Sequence, residues 1–476
     1  MSVEARILSS SGRRQATIAL MIATAMQAFD TTIANVALPQ LEHSLGGGIE
    51  LGSWVMTSYL CASAIMATLT GWLRRRYGAR PLFIGSISLF IIASGLCSVA
   101  PSSVALIQFR LVQGTAAGVI QPLAQAILLD IYPQHDHGRM LAIWGATIMA
   151  GPILGPVLGG VIADLSSWRW IFVLNIPLGL IAILGLGQVR TTIEPTAKAR
   201  IDGIGLALLI LGVGSLQLAL ERMIGQTWPL SVETAAEAAV AVFALAGIAI
   251  RSFRSQFTLF RFQVFRSLNF SAAAFYNFLV GALLFTTIVF LPALSEGPLG
   301  YDATQAGLAL SPRGIATMAT MLAVHSLIDR VDHRALLGTG IVITAGAFVL
   351  MSQVPPDGGE LWLATASAIQ GVGVGLVFTP LSTLAFSTLG AELRTDAAGV
   401  YSLLRQLGCA TGVAVMTALL QARIHGSSLP MFDPPAAVFA AYTGCFQTMA
   451  IITAITLPGI LLFRVLRPEA AARRAA

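Results

Sequence analysis

The chain has 476 residues, of which 56% are hydrophobic and 11% are charged, and its mean hydropathy is +0.79. A soluble domain of this length carries about a quarter charged residues, so the composition excludes an ordinary soluble protein and indicates a polytopic membrane protein. The net charge is +6, but the basic residues lie in short runs between apolar segments and not on one amphipathic face, which argues against a nucleic-acid partner.

Apolar segments of roughly 17 to 25 residues, enough to cross about 30 Å of hydrocarbon, recur fourteen times along the chain. This pattern predicts an all-α integral membrane protein with 14 transmembrane helices. The first segment is too long for the apolar core of a cleaved leader, so we expect it to be a retained helix. The predicted spans are 15–39, 51–72, 81–100, 103–129, 140–163, 169–189, 202–221, 234–250, 268–292, 305–328, 335–352, 361–386, 398–421 and 438–463.

The distribution of basic residues predicts the topology. With the N-terminus inside, the segments assigned to the cytoplasm contain 22 of the 28 lysine and arginine residues. The positive-inside rule therefore places both termini in the cytoplasm. We expect a multi-pass protein of the cytoplasmic (inner) membrane, in contact with the lipid bilayer.

An internal repeat follows two of the spans. Residues 71–80 (GWLRRRYGAR) follow the second span, residues 325–334 (HSLIDRVDHR) follow the tenth, and aligning Leu73 with Leu327 also aligns Arg76 with Arg330. Transporters are often built from two such homologous halves. The predicted division is an N-terminal six-helix bundle at 1–190, a linker with two additional transmembrane helices at 191–266, and a C-terminal six-helix bundle at 267–476.

The first span contains a carboxylate, Asp30. A charge at bilayer depth costs on the order of 3 kcal/mol, so such a residue normally faces a partner or an aqueous cavity and marks function. Arg110, in the fourth span, lies at the same depth, about 10 to 14 Å below the outer interface at 1.5 Å per residue, so the two residues can pair. A buried carboxylate of this kind is a candidate proton carrier, and Glu221 is the next candidate after Asp30. The alternative for Glu221 is an interfacial charge beside Arg222.

Four short motifs carry a resemblance to a known family. They are 29–39 (FDTTIANVALP), 110–114 (RLVQG), 151–160 (GPILGPVLGG) and 168–172 (WRWIF). The chain resembles the major facilitator superfamily and, within it, the EmrB/QacA-like family of fourteen-span drug:proton antiporters. The resemblance implies the major facilitator fold, two six-helix bundles plus two extra helices, and a secondary exporter that exchanges drugs or other amphipathic small molecules for protons by alternating access.

The fifth span carries the motif that this family uses as its antiporter signature. Its glycines recur every fourth residue, which lets a neighbouring helix approach closely, and its prolines each remove an intrahelical hydrogen bond and favour a bend. From the residues alone, the motif is either a hinge and seal or a structural helix contact. The signature residues are Gly151, Pro152, Gly155, Pro156, Gly159 and Gly160.

The resemblance also implies which residues meet protons and substrate. Asp30 and Arg110 are expected to form a proton switch, in which the carboxylate is ionised when Arg110 or a cationic substrate is near. Aromatic rings and amides on the first, fourth, ninth and twelfth spans suit bulky apolar or cationic compounds, although any single one can instead serve packing or lipid contact. The substrate-cavity candidates are Gln27, Phe29, Asn35, Gln113, Gln121, Tyr276, Asn277 and Phe378.

The remaining basic residues have structural or gating roles in this interpretation. For Arg405 the alternatives are helix pairing through Gly408 and Gly412 or contact with substrate, and for Arg313 they are capping of the backbone beside Pro312 or gating. The loop after the second span departs from the superfamily, because Arg75 stands where an acidic residue is expected. Its arginines serve either topology or a conformational lock. The residues in this group are Arg76, Arg313, Asp329, Arg330 and Arg405.

Other chemistries find little support in the sequence. No GK[ST] motif is present, no residue set has metal-ligand spacing, and no span places a histidine or a pair of acids at its centre, so we expect no cofactor, no metal and no enzymatic activity. A dedicated exporter of one endogenous compound, such as an antibiotic, fatty acid or siderophore, stays an open alternative to a multidrug exporter. Relatives in double-membrane bacteria work with a periplasmic adaptor and an outer-membrane channel, which the resemblance also allows here.

Overall fold

The computed structural model describes most of the chain, and within the described residues every regular element is helical. Polar residues begin several of these helices in the expected way: Ser102 accepts a hydrogen bond from Ala105 N, and Ser267 accepts one from Phe270 N. The described residues are 10–36, 41, 44–45, 48–133, 136–165, 167–186, 202–223, 231–254, 262–301, 303–327, 331–356, 359–426 and 434–464.

Fifteen α-helices follow one another in these ranges, with a 3₁₀ turn at Phe262–Arg266 and another at Leu457–Leu462. In chain order they are α1 (Ser10–Val36), α2 (Gly48–Tyr77), α3 (Ala79–Ser98), α4 (Ser103–Ile131), α5 (His137–Leu165), α6 (Arg169–Val173), α7 (Asn175–Gly185), α8 (Gly203–Met223), α9 (Val232–Arg254), α10 (Leu268–Glu296), α11 (Ala303–Leu327), α12 (His333–Ser352), α13 (Glu360–Ser387), α14 (Ala391–Gly426) and α15 (Pro434–Ile455).

Each of the fourteen predicted spans coincides with helix, and the sixth is divided between α6 and α7. Within the described residues, eleven helices are long and apolar enough to cross a membrane, and Arg169–Gly185 is a shorter apolar helix. The prediction of an all-α membrane protein is confirmed. The count of fourteen spans stays a prediction, because α5 and α9 are not among those eleven.

The helices pack in two groups. Helix α1 packs against α5, α7 and α4, while α4 also packs against α2 and α3; in the second group, α10 packs against α14, and α13 against α11 and α12. The groups meet where α5 contacts α11 and where α2 and α4 contact α14. The additional helices α8 and α9 pack chiefly against each other. The domain limits at residues 190 and 266 stay a prediction.

Small residues permit the closest approaches in both groups. A Cβ on Gly114 would collide with the backbone of Tyr59, so α4 can lie against α2 only because that side chain is absent. In the second group, Gly408 and Gly412 of α14 lie in the same way on the backbone of Phe278 and Ala282 in α10. These contacts are the small-residue packing that substitutes for a hydrophobic driving force in lipid.

A largely buried carboxylate, Asp202, forms an ion pair between the additional helices. Asp202 precedes α8 and accepts a hydrogen bond from Gly205 N at 3.0 Å, and Arg251 Nε, near the end of α9, donates to both Asp202 carboxylate oxygens at 3.0 and 2.9 Å. The hydrogen bonds from Arg251 lower the pKa of Asp202. The pair therefore stabilises the fold wherever Asp202 is ionised.

Asp202→Asn is expected to lower the midpoint of thermal unfolding by a few degrees at pH 7, because asparagine keeps the helix cap but loses the ion pair. Since the folded pKa of Asp202 is depressed, its contribution is present above the unfolded value of about 4 and is lost as the pH falls through the folded value. The difference between the variant and the native protein should therefore close below about pH 4. Thermal unfolding of purified protein at several pH values measures both effects.

The matched control is Glu233→Gln. Glu233 pairs with Arg222, and the Glu233 side chain is 75% exposed. Surface pairs of this kind contribute little, so we expect no measurable change in the midpoint. Equal midpoints for Asp202→Asn and the native protein at pH 7 would show that the α8–α9 pair does not stabilise the fold.

Candidate functional site

Asp30 of α1 and Arg110 of α4 lie in contact in the interior of the first group of helices. Arg110 Nη1 donates to Asp30 Oδ2 at 2.7 Å, and both side chains are completely shielded from solvent. Helix rise alone had put the two residues at one depth, and the structure shows that their helices also face each other. A carboxylate and a guanidinium buried this far from water are stable only as partners, because either charge alone would carry a large desolvation penalty.

Two amides complete the coordination of the carboxylate. Gln113 Nε2 donates to Asp30 Oδ1 at 2.9 Å, and Asn175 Nδ2, at the start of α7, donates to the same oxygen at 2.8 Å. Ser94 Oγ of α3 accepts from both amides, at 2.7 and 3.2 Å. With Arg110, three N–H donors surround Asp30, an arrangement complementary to an ionised carboxylate. We call Asp30, Arg110, Gln113, Asn175 and Ser94 the Asp30 cluster.

Aromatic rings surround the guanidinium. Arg110 Cζ lies 4.2 Å from the centre of the Tyr59 ring and 5.6 Å from that of Phe172. Such contacts stabilise a desolvated cation through the negative face of the ring. Tyr59 of α2 and Phe172 of α6 thus contact the guanidinium of the pair. With α1 and α4, which carry the pair itself, and α7, which carries Asn175, five helices meet at one buried ion pair.

The antiporter signature lies directly behind Asp30. A Cβ on Gly151 would be 2.5 Å from the Ala28 carbonyl oxygen, Gly155 lies against Thr32, and Thr32 Oγ1 donates to the Gly151 carbonyl at 2.9 Å. Ala28 and Thr32 are each two residues from Asp30, which is about 200° around a helix of 3.6 residues per turn. Helix α5 therefore supports the face of α1 opposite the carboxylate.

The predicted glycine stripe is thus confirmed as a close contact at Gly151 and Gly155. Helix α5 continues through Pro152 and Pro156 as one element. The side-chain surroundings of the remaining signature residues are outside the described part of the chain; these are Pro152, Pro156, Gly159 and Gly160.

Gly151→Ala is expected to destabilise the protein by about 1–3 kcal/mol, because the added methyl group forces α5 away from the α1 backbone. It should also slow transport, since the seat of Asp30 shifts with α1. Gly85→Ala, in α3, is the control: nothing lies within 4 Å of the added Cβ, so stability should stay equal or rise slightly. Thermal unfolding and substrate flux in the same preparations measure both. Unchanged stability of Gly151→Ala would contradict the close α1–α5 contact.

A small cavity of about 10 Å³, enough for about one water molecule, lies between the two groups of helices. The first group contributes Gln121, Pro122 and Gln125 of α4 together with Trp144 and Ile148 of α5. The second group contributes Phe378 of α13 together with Tyr401, Ser402 and Arg405 of α14. We call this space the central cavity.

Two of the eight substrate-cavity candidates, Gln121 and Phe378, line the central cavity. Gln113 instead belongs to the Asp30 cluster. Gln27 lies near it, with its amide 3.3 Å from the hydroxyls of Thr31 and Tyr59.

Three other candidates lie elsewhere. Phe29 packs in an apolar cluster with Trp168. Tyr276 donates to the Thr456 carbonyl, and Asn277 donates to the Tyr401 carbonyl at 2.7 Å. The side chain of Asn35 is outside the described residues, and so is that of Glu221.

The Asp30 cluster and the central cavity are separate places. Arg110 and Gln121 are eleven residues apart on α4, about 16 Å at 1.5 Å per residue. Asp30 does not line the cavity in this conformation. The two sites share helices, however, because α4 contributes to both and α5 contacts α1 while lining the cavity.

Arginines connect the two groups at the end that is predicted to be cytoplasmic. Arg74 of α2 pairs with Asp130 of α4 and donates to Thr395 of α14, and Arg75 Nη1 lies 2.5 Å from Asp396 Oδ2. A Cβ on Gly71 would overlap the Asp396 carboxylate, so glycine provides the space for it. Arg394 also donates to the Leu129 carbonyl at 3.0 Å.

Of the two interpretations of these arginines, the observed contacts favour a lock between the halves. Position 75 lacks the acidic residue that the superfamily would have there, but Asp396 of α14 provides a carboxylate that pairs with Arg75. Arg76 is exposed, and Asp329 and Arg330 are outside the described residues.

The Arg75–Asp396 contact is testable by a double-mutant cycle with Arg75→Gln and Asp396→Asn. We expect a coupling free energy of roughly 0.5–3 kcal/mol, because either substitution breaks the same ion pair and the Asp396 side chain is only 1% exposed. Thermal unfolding of the four proteins gives the coupling. Arg14→Gln, an exposed arginine of α1, should add independently to each of them. Strictly additive losses for Arg75 and Asp396 would rule out the lock.

The other two arginines within spans differ from Arg110. Arg405 Nη2 donates to Gln121 Oε1 at 3.3 Å, across the central cavity, while Gly408 and Gly412 of the same helix pack on α10. Helix pairing and a position in the cavity therefore coexist. Arg313 has a buried Nη1 with no hydrogen-bond partner among the described residues.

Two groups of membrane helices around a central cavity, with a buried charged cluster, define an α-helical membrane transporter. Residues 20–413 match the family model of the Major Facilitator Superfamily. The chain belongs to that superfamily, as the motifs predicted.

Relatives and a solved structure agree with this assignment. The chain is 37% identical to the multidrug export protein EmrB of Haemophilus influenzae, over 84% of this chain and 79% of the relative. It is 33% identical to the fatty acid resistance protein FarB of Neisseria gonorrhoeae, over 86% and 80%. The human organic anion transporter MFSD10 (TETRAN) has a similar structure, with a TM-score of 0.65, 16% identity and coverage of 93% of this chain and 99% of that one. At that identity the likeness concerns the fold alone.

Proposed function

We propose that the protein is a secondary active exporter that exchanges drugs or other amphipathic small molecules for protons by alternating access. The observation that carries the proposal is the fully buried Asp30, held by three N–H donors inside a membrane helix. Relatives whose names denote multidrug export support the direction of transport.

Protonation of Asp30 changes the balance of charge in the cluster. In its ionised form, the carboxylate neutralises Arg110; a proton on either oxygen removes that compensation and takes an acceptor away from at least one donor. An uncompensated guanidinium in a dry interior is costly, so the protonated cluster favours a different arrangement of α1 and α4. In the proposed cycle this preference links proton entry to the change of access.

Shared helices transmit the change to substrate. Helix α4 carries Arg110 and Gln113 at one level and Gln121 and Gln125 at another, and α5 supports α1 through Gly151 while its Trp144 lines the central cavity. Substrate and proton can therefore compete without touching the same atom. This differs from a mechanism in which Asp30 itself binds a cationic substrate.

Further elements of the proposal concern topology and partners. We place both termini in the cytoplasm and the protein in the inner membrane, with the six-helix bundles at 1–190 and 267–476 flanking the additional helices. The protein acts as a transporter and not as an enzyme. Export through a periplasmic adaptor and an outer-membrane channel follows the family. A dedicated exporter of one compound is the second candidate, which the similarity to a fatty acid resistance protein favours.

Asp30→Asn in proteoliposomes should bring substrate-driven proton movement close to the rate of empty liposomes, because asparagine cannot carry a proton through the cycle. A pH-sensitive dye inside the vesicles reports the movement, and a panel of cationic, neutral and anionic compounds reports the breadth of substrates. Asp202→Asn removes another ion-paired acid and should couple normally. Efflux by Asp30→Asn that still follows an imposed pH gradient would show that another group carries the proton.

A further inference from the structure

Three hydrogen-bond donors in the central cavity have spare capacity. Gln125 is 2% exposed and Trp144 is 6% exposed, and among the described residues neither Gln125 Nε2 nor Trp144 Nε1 has a hydrogen-bond partner. Both line the cavity from the first group of helices. Arg405 lines it from the second group, and it forms no ion pair with a described carboxylate.

Such an arrangement is unusual for a protein interior. Buried polar atoms are almost always paired, because each unpaired donor forfeits the hydrogen bonds it would make in water. The residues that carry these donors line one space from both halves of the protein, and none of its lining residues is acidic. The cavity therefore offers positive charge and donors and lacks a compensating negative charge.

We propose that the central cavity binds the anionic head group of an amphipathic organic acid, such as a carboxylate or a sulfonate. Arg405 pairs with the anion, and Gln125 and Trp144 donate to its remaining oxygens, which satisfies all three groups. The apolar part of the substrate packs on Ile148, Pro122 and Phe378. This inference rests on the proposed function and names the substrate class of its cavity.

Cationic compounds fit the same cavity poorly. They would leave both orphan donors unpaired and would meet the charge of Arg405 at close range, and sites built to hydrogen-bond one group reject ligands that lack it. Asp30 offers no counter-charge to such a ligand, because it does not line the cavity and is already paired with Arg110. The proposal thus differs from the sequence-based expectation, which allowed bulky apolar or cationic compounds on the basis of aromatic rings and amides.

The central cavity is narrow in this conformation, and its volume of about 10 Å³ holds about one water molecule. Binding of an organic anion therefore requires the two groups of helices to move apart, as alternating access provides. The cross-cavity hydrogen bond from Arg405 Nη2 to Gln121 Oε1 is long, at 3.3 Å. An anion is a stronger acceptor than an amide oxygen and can displace Gln121 from the guanidinium.

The test uses the full chain in lipid nanodiscs and a pair of ligands with one ring system and permanent opposite charges, 1-naphthalenesulfonate and (1-naphthyl)trimethylammonium. Equilibrium binding should favour the sulfonate in the native protein. Arg405→Gln should weaken sulfonate binding by roughly tenfold or more, because it removes a charge-assisted hydrogen bond. The affinity for the ammonium compound should stay the same or increase. Arg423→Gln, on the same helix outside the cavity, should have no effect.

A second variant keeps the test independent of the fold around Arg405. Trp144→Phe retains the ring but removes the N–H, so sulfonate binding should weaken several-fold while binding of the neutral 1-naphthalenemethanol stays the same. Equal or tighter binding of the ammonium to the native protein would overturn the proposal, as would an unchanged sulfonate preference in Arg405→Gln. Binding needs no proton gradient, so this result is separate from that of the Asp30→Asn flux assay.

Discussion

The structure depends on burying a single ion pair between α1 and α4. Asp30 and Arg110 are both removed from water, and further hydrogen bonds to the carboxylate help their attraction to offset the desolvation of two charges. Gln113 and Asn175 supply the additional donors, and Ser94 accepts from both amides. The pair thus ties α1, α3, α4 and α7 at one level, and any change in its charge acts on all of them.

The arginines within and beside the spans fall into three environments. Arg110 is buried with a carboxylate in its own group of helices, and Arg74 and Arg75 join the two groups through Asp130 and Asp396. Arg405 faces a cavity with no acidic partner there. A cation in a helical membrane protein is normally paired with an anion, so the surroundings of Arg405 support the proposed binding of an anion in the central cavity.

Much of the architecture is predictable because lipid imposes simple rules. Hydropathy placed each predicted span on a helical segment, and the 1.5 Å rise put Asp30 and Arg110 at one depth. Gln113 is three residues from Arg110, so its presence on the same helix face was also predictable. Asn175 lies three residues beyond the motif at 168–172, but its contact with Asp30 depends on the break between α6 and α7, which composition does not reveal.

The remainder depends on how helices rotate and meet. Trp144 and Gln125 look like ordinary residues of apolar spans, and only the packing of α4 against α14 and of α5 against α13 shows that they line one cavity with Arg405. Likewise, Arg75 replaces the acidic residue expected in the loop after the second span, and only the structure shows that Asp396, distant in sequence, pairs with it. Hydropathy carries no information about such pairs, because it depends on residue type and not on direction.

Helix α4 explains how two sites about 16 Å apart can act together. Pro122 lies between Gln113 and Gln125, removes one backbone hydrogen bond from the helix, and lines the central cavity. A proline gives a helix a place to bend, so a ligand that packs there acts where α4 resists least. Bending at Pro122 changes the angle between the cavity and the segment that carries Arg110. In the proposed cycle, that change strains the ion pair, because Arg110 is held against Tyr59 and Asp30, and protonation of Asp30 then releases the guanidinium.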